Sequence, residues 1–136
     1  MTKKLTIYSD GGARGNPGPA GIGVVIYDES NKILKQIGKY VGVTTNNQAE
    51  YKALITGLEE AEGLGAQEVV CHLDSELVVR QMQGKYKVRE EGLKDLAMQA
   101  LRLTVKFKRV EFIHVPREKN KLADKLVNQA LDEAGF

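Results

Sequence analysis

The hydrophobic period of this chain changes near residue 45, and that change limits the folds open to it. Before it, KLTIYSD (4–10) alternates and is rich in β-branched and aromatic residues, and GIGVVIYD (21–28) continues in the same residue types. ILKQIGKYV follows the turn DESNK, so the spacing predicts a meander of three strands. After it, TTNNQAEYKALITGLEEAEG places Ala49, Ala53, Leu54, Leu58 and Ala61 at helical intervals, with Thr45 as N-cap and a glycine near the end. EVVCHLD (68–74) is a short apolar run suited to a buried parallel strand. A short helix (SELVVRQMQG), a second (EEGLKDLAMQALRLT), a strand (RVEFIHV) and a helix beginning near Lys119 complete the chain. This order predicts an α/β fold, a mixed sheet covered by helices. With no repeat, low-complexity tract or linker, one domain over residues 1–136 is expected.

Bulk properties exclude little. A length of 136 residues suffices to bury a core without staples. A net charge of +2 permits a nucleic-acid partner without arguing for one. The single cysteine, Cys71, cannot form an internal disulfide and sits in the apolar run VVCHL, where a buried, inert thiol is expected. A reducing cytosol is the natural setting. MTKKLTIY carries lysines but no long apolar stretch or cleavage site, and nowhere do eighteen apolar residues run together, so neither export nor a membrane role is expected.

The informative residues are carboxylates. Aspartate is disfavoured in strands and costly to desolvate, yet Asp10 and Asp74 each stand at the end of an otherwise apolar strand. If those strands are parallel neighbours, both carboxylates meet at one edge of the sheet, where open α/β sheets bind ligands. Glu50, early in its helix, and Asp124, in NKLADKLVNQAL, could be aimed at the same spot. Converging carboxylates repel one another unless cations intervene, and an all-oxygen set suits Mg²⁺ or Mn²⁺ rather than zinc. Two such ions, roughly 3.5 to 4 Å apart, are a common device for phosphodiester cleavage. Taken singly, each of the four is also readable as a solvated charge, Glu50 as the partner of a helix lysine and Asp124 as an ordinary helix-surface residue. Spacing alone leaves the assignment open.

The residues themselves carry a resemblance. YSDGGARGNPGPAGIG with Asp10, TTNNQAEYKAL with Glu50, LDSELVV with Asp74 and NKLADKLVNQA with Asp124 resemble the type 1 ribonuclease H family, in order and over essentially the whole chain. That resemblance implies a ribonuclease H-like, five-stranded mixed sheet of order 3-2-1-4-5 flanked by helices. It also implies endonucleolytic cleavage of the RNA strand of an RNA/DNA hybrid with two Mg²⁺ ions, Mn²⁺ as substitute. Asp10 would bridge both ions, Glu50 and Asp74 would complete one site, and Asp124 the other. Asn16, Asn46, Asn47 and Gln48 match family positions that contact the hybrid, as suits recognition of 2′-hydroxyls. The plain alternative is that NPG is a turn and TTNN a helix cap. Gly11 and Gly12 would let a nucleic-acid backbone come close and suit a tight turn, and Arg14 would reach a phosphate or remain solvated.

Three departures stand out. The connection QGKYKVREEG, with Lys85, Lys87 and Arg89, replaces the long basic protrusion of many bacterial members, so modest, salt-sensitive affinity is expected. Many members carry a histidine in a flexible loop before the last helix; His114, ten residues before Asp124, could align with it, but the segment to Asn120 is short for that loop. His114 is expected at a strand end, and Arg117, seven residues before Asp124, is a candidate substitute that would stabilise the phosphate or leaving group. Glu76 stands where a neutral amide often touches RNA. Without protrusion and loop, the chain could also accept double-stranded RNA. We expect it to act as a monomer. The competing readings are a hybrid-binding module without catalysis and an exonuclease on the same fold.

Overall fold

The computed structural model describes residues 3–136. Met1 and Thr2, counted in the expected domain and in the stretch read for a leader, lie outside the described residues. The chain runs β1 (Lys4–Ala13), β2 (Gly18–Tyr27), β3 (Ile33–Thr44), α1 (Asn46–Gly63), β4 (Glu68–Leu73), α2 (Glu76–Met82), α3 (Glu91–Thr104), β5 (Arg109–His114), a 3₁₀ turn (Arg117–Lys119) and α4 (Lys121–Glu133). The sheet order is β3-β2-β1-β4-β5, as the resemblance implies. β1, β2 and β3 pair antiparallel, and β4 pairs parallel with both β1 and β5.

The meander closes through local turn chemistry. Asp28 Oδ1 accepts from Ser30 N at 2.8 Å and Lys32 N at 2.9 Å, and Asn31 takes the left-handed conformation, φ 62°. α1 starts at a capping box in which Gln48 N donates to Thr45 Oγ1 and Thr45 N donates to Gln48 Oε1. Its expected apolar face is buried, with Ala49, Ala53, Leu54, Leu58 and Ala61 all fully enclosed. This helix lies between the sheet and α3, over a core that includes Leu5, Ile7, Val24 and Leu73.

The other face of β2 and β3 carries α4. Here the sheet presents backbone rather than side chains. A Cβ at Gly23 would lie 2.0 Å from Ala123 O, and one at Gly38 would lie 2.9 Å from Leu126 O. Only glycine admits so close an approach.

Two boundaries differ from expectation. β1 does not stop at Asp10: it pairs onward with β2 through Gly11↔Ile22, Gly12↔Gly21 and Ala13↔Ala20. What stops near Asp10 is the pairing with β4, whose last partners are Ser9 and Leu73. The final helix begins at Lys121, because the 3₁₀ turn occupies Arg117–Lys119. No helix among the described residues is long and apolar enough to cross a membrane.

Candidate active site

The parallel register fixes the first two acids. Since Ser9 pairs with Leu73, Asp10 and Asp74 are the next residues on neighbouring strands, side by side where β4 ends and β1 continues. α1 begins beside this point and brings Glu50 in from its second turn. One carboxylate oxygen from each of Asp10, Glu50 and Asp74 lies within 4.8 Å of the others. Asp10 and Glu50 are buried and Asp74 is half-buried. Asp124, on the first turn of α4, lines the same open cleft of about 450 Å³ but stands outside that tight group.

Crowded burial sets the electrostatics. Burial, with repulsion from Asp74 adding to it, pushes the Asp10 carboxyl up to about 7, against the opposing effect of the Glu50 carboxyl beside it. Burial and then the neighbouring Asp10 raise Glu50 well above the carboxylate range, and the Gly11 N–H only partly offsets this. Asp74 is raised too, chiefly by burial, while the amide of Asn120 and the Arg117 guanidinium favour its charged form. Arg117 is 80% exposed and its Nη2 lies 3.6 Å from Asp124 Oδ1.

The donor set fits a hard divalent cation. Glu50 Oε1 accepts from Gly11 N at 2.6 Å, while Oε2 is buried with no hydrogen-bond partner. A carboxylate oxygen enclosed beside two further acids is costly unless an ion or proton meets it, and the cluster offers oxygen alone.

Gly11 corrects an expectation. Its missing side chain makes room for α1: a Cβ there would stand 2.3 Å from the Ala49 carbonyl carbon and oxygen and 2.5 Å from Glu50 N. Nor do Gly11 and Gly12 form a turn, since both pair within β1. The close approach that position 11 requires is therefore within the protein itself, between β1 and α1.

The expected nucleic-acid contacts divide. Asn46 and Asn16 are exposed, with their side-chain carbonyls engaged: Asn46 Oδ1 accepts from Ala13 N at 2.8 Å, and Asn16 Oδ1 from Asn46 N at 3.0 Å. These bonds leave both NH₂ groups without a partner among the described residues. Asn47 lines the cleft. Gln48 is occupied by the capping box, by Thr44 Oγ1 and by Gly92 O at 3.4 Å, so it builds the start of α1. Arg14 lines the cleft but is held by the C-terminal helix: Nη2 lies 2.8 Å from Asp132 Oδ1, and the guanidinium also donates to the carbonyl of Phe136. His114 ends β5 as expected, and its Nδ1 is 3.9 Å from Glu76 Oε2, so two of the departures meet.

Sequence reasoning passed over Asn120. It is 1% exposed, and its Nδ2 donates to Ser9 O at 2.9 Å and to Asp74 Oδ2 at 3.4 Å. An asparagine just before an apolar-periodic helix reads as an ordinary N-cap, which hid it.

A mixed sheet in this order, with acids gathered where β1 outruns β4, is the ribonuclease H fold bearing an acidic cluster suited to divalent cations. A family profile described as reverse transcriptase-like matches residues 8–130. The chain is 41% identical to ribonuclease HI of Halobacterium salinarum over 96% of its own length and 66% of that protein's. It is 46% identical to the bifunctional protein Rv2228c of Mycobacterium tuberculosis over 96% of its length, and spans 36% of that longer relative. Among solved structures, RNase H1 of H. salinarum superposes with a TM-score of 0.93 at 39% identity, covering 96% of this chain and 98% of that one. LC11-RNase H1, solved with an RNA/DNA hybrid, superposes with a TM-score of 0.91 at 51% identity over 96% and 98%. The chain belongs to the type 1 ribonuclease H family.

Proposed function

We propose that this chain is a metal-dependent endonuclease that hydrolyses the RNA strand of RNA/DNA hybrids. The observation that carries this is the meeting of Asp10, Glu50 and Asp74 within 4.8 Å in an open cleft, with a buried Glu50 oxygen unpartnered. Relatedness to an RNase H1 solved with a hybrid supports the choice of substrate.

Asp10, Glu50, Asp74 and Asp124 would hold Mg²⁺, or Mn²⁺ in its place, as two ions. When bound, such ions supply a water of lowered pKa and charge stabilisation for the phosphodiester. The chain's own groups do the rest. Gly11 N–H fixes one Glu50 oxygen and leaves the other buried without a partner. The NH₂ groups of Asn16 and Asn46, with Asn47, offer donors and acceptors for 2′-hydroxyls in an A-form minor groove. Arg117 carries a permanent charge beside Asp124, in reach of a phosphate or leaving oxygen. The same donors would serve double-stranded RNA, and we infer that residues 1–136 act as one domain, as a monomer, in the cytosol.

A hybrid labelled uniformly on its RNA strand tests this. Internal cuts that need Mg²⁺ and cease with a chelator are expected. Binding without cutting would instead identify a hybrid-binding module, and products trimmed from one end an exonuclease.

A further inference from the structure

We infer that Asn120 is a positioning residue for the acidic cluster, its side-chain amide holding the Asp74 carboxylate against β1. This rests on the reading of the cluster as a metal centre.

The residue's setting argues for more than a helix cap. Asn120 stands at the N-cap position of α4, where an asparagine ordinarily turns its side-chain oxygen to the backbone N–H groups of the first turn. Here it makes no such bond. Its Oδ1 is instead buried without a partner, and Nδ2 points at two acceptors, Ser9 O and Asp74 Oδ2. Rotating the amide by half a turn would set Oδ1 against that carbonyl and carboxylate, so the donor side is fixed by what it faces. A buried, unmet acceptor is a destabilising feature, and the arrangement that leaves it so is the one that tethers Asp74.

The tether also joins the separate elements of the site. Nδ2 holds the carbonyl of Ser9, the residue before Asp10, and the Asn120 carbonyl accepts from the N–H of Asp124 at 3.1 Å. One buried residue thus touches β1 beside Asp10, the carboxylate of Asp74 and the backbone of Asp124. Groups that orient metal ligands in this way typically change affinity by about 10- to 100-fold when removed.

The test uses the full chain, native and Asn120→Ala, with Mn²⁺ alone as the probe. Calorimetric titration without nucleic acid is expected to show affinity weakened about tenfold, with the circular dichroism of the native fold retained. In turnover of a hybrid, kcat falls while KM stays within about twofold. Thermal unfolding in metal-free buffer completes a double-mutant cycle with Asp74→Ala, in which the melting loss caused by Asn120→Ala is expected to shrink. Unchanged Mn²⁺ affinity in the folded variant, or an equal melting loss in both backgrounds, overturns the assignment. Should Asn120→Ala not fold, Asn120→Ser is judged by the same titration and cycle. A native chain that takes up no Mn²⁺ overturns the metal-centre reading and this role with it, while the cycle still reports whether Asn120 and Asp74 are coupled, so the two failures are told apart.

Discussion

The Gly11 N–H donates to Glu50 Oε1 across 2.6 Å, so the strand that carries Asp10 also grips the carboxylate that α1 sends toward it. Asp10 and Glu50 are thereby locked to one another through adjacent backbone. The cluster is organised before any ligand arrives, and a preorganised site spends less free energy on ordering when it binds.

Gly11→Ala tests the contact that makes this possible. A Cβ only 2.3 Å from the Ala49 backbone forces α1 off the sheet. We expect a loss of about 3 kcal/mol in unfolding free energy, at the upper end of overpacking costs. Denaturant titration measures it, and a loss below about 0.5 kcal/mol, the level of a neutral surface change, would mean the helix yields easily.

Stability without metal should fall as pH rises. Asp10 releases its proton near 3.8 when unfolded and at about 7 when folded, so between those values the folded chain binds the extra proton. Stability is then lost progressively through that window and levels off above it, by on the order of 4 kcal/mol in all. Glu50 and Asp74, raised as well, act in the same direction. Melting in a chelator at about pH 5 and about pH 8 should show the drop in the native chain and a smaller one in Asp10→Asn; equal drops would contradict the reading.

Asp10→Asn separates catalysis from folding. If Asp10 is the central ligand, its loss removes several kcal/mol of transition-state stabilisation, on the order of a thousandfold in rate. Relief of carboxylate repulsion makes the metal-free variant at least as stable as the native chain near neutral pH. Hybrid cleavage and melting temperature, measured together, check both halves.

Arg117→Ala should leave the fold intact, since the side chain is 80% exposed and its pairing with Asp124 at 3.6 Å is a surface contact. If the guanidinium meets the phosphate or leaving oxygen, turnover falls by about tenfold or more, with Arg117→Lys recovering part of it. Unchanged turnover in Arg117→Ala removes the residue from the mechanism.

The meander and the helix over 46–63 were legible because each rests on local signals: alternation, helical spacing and a Thr45 cap. The four acids, by contrast, stood out only through the family resemblance, since spacing alone left them open. What escaped depends on distance between elements. Gly11 and Gly12 read as a turn because glycine weakens strands, but the partner that demands a glycine at position 11 is the backbone of Ala49, a relation no local pattern encodes. Arg14 read as a cation that reaches a phosphate or stays solvated until the fold brought Asp132 to it. Asn120 carries the signature of a cap, and only its buried surroundings reveal the carboxylate it faces instead.

The seat of α4 has its own consequence. Where Gly23 and Gly38 bring bare backbone against Ala123 and Leu126, no layer of side chains can be compressed or rearranged to let the helix drift. Asp124 is therefore held at a height set by main chain on main chain, as on a ruler. The short turn at Arg117–Lys119, by contrast, is exposed along its whole length and has no such backing.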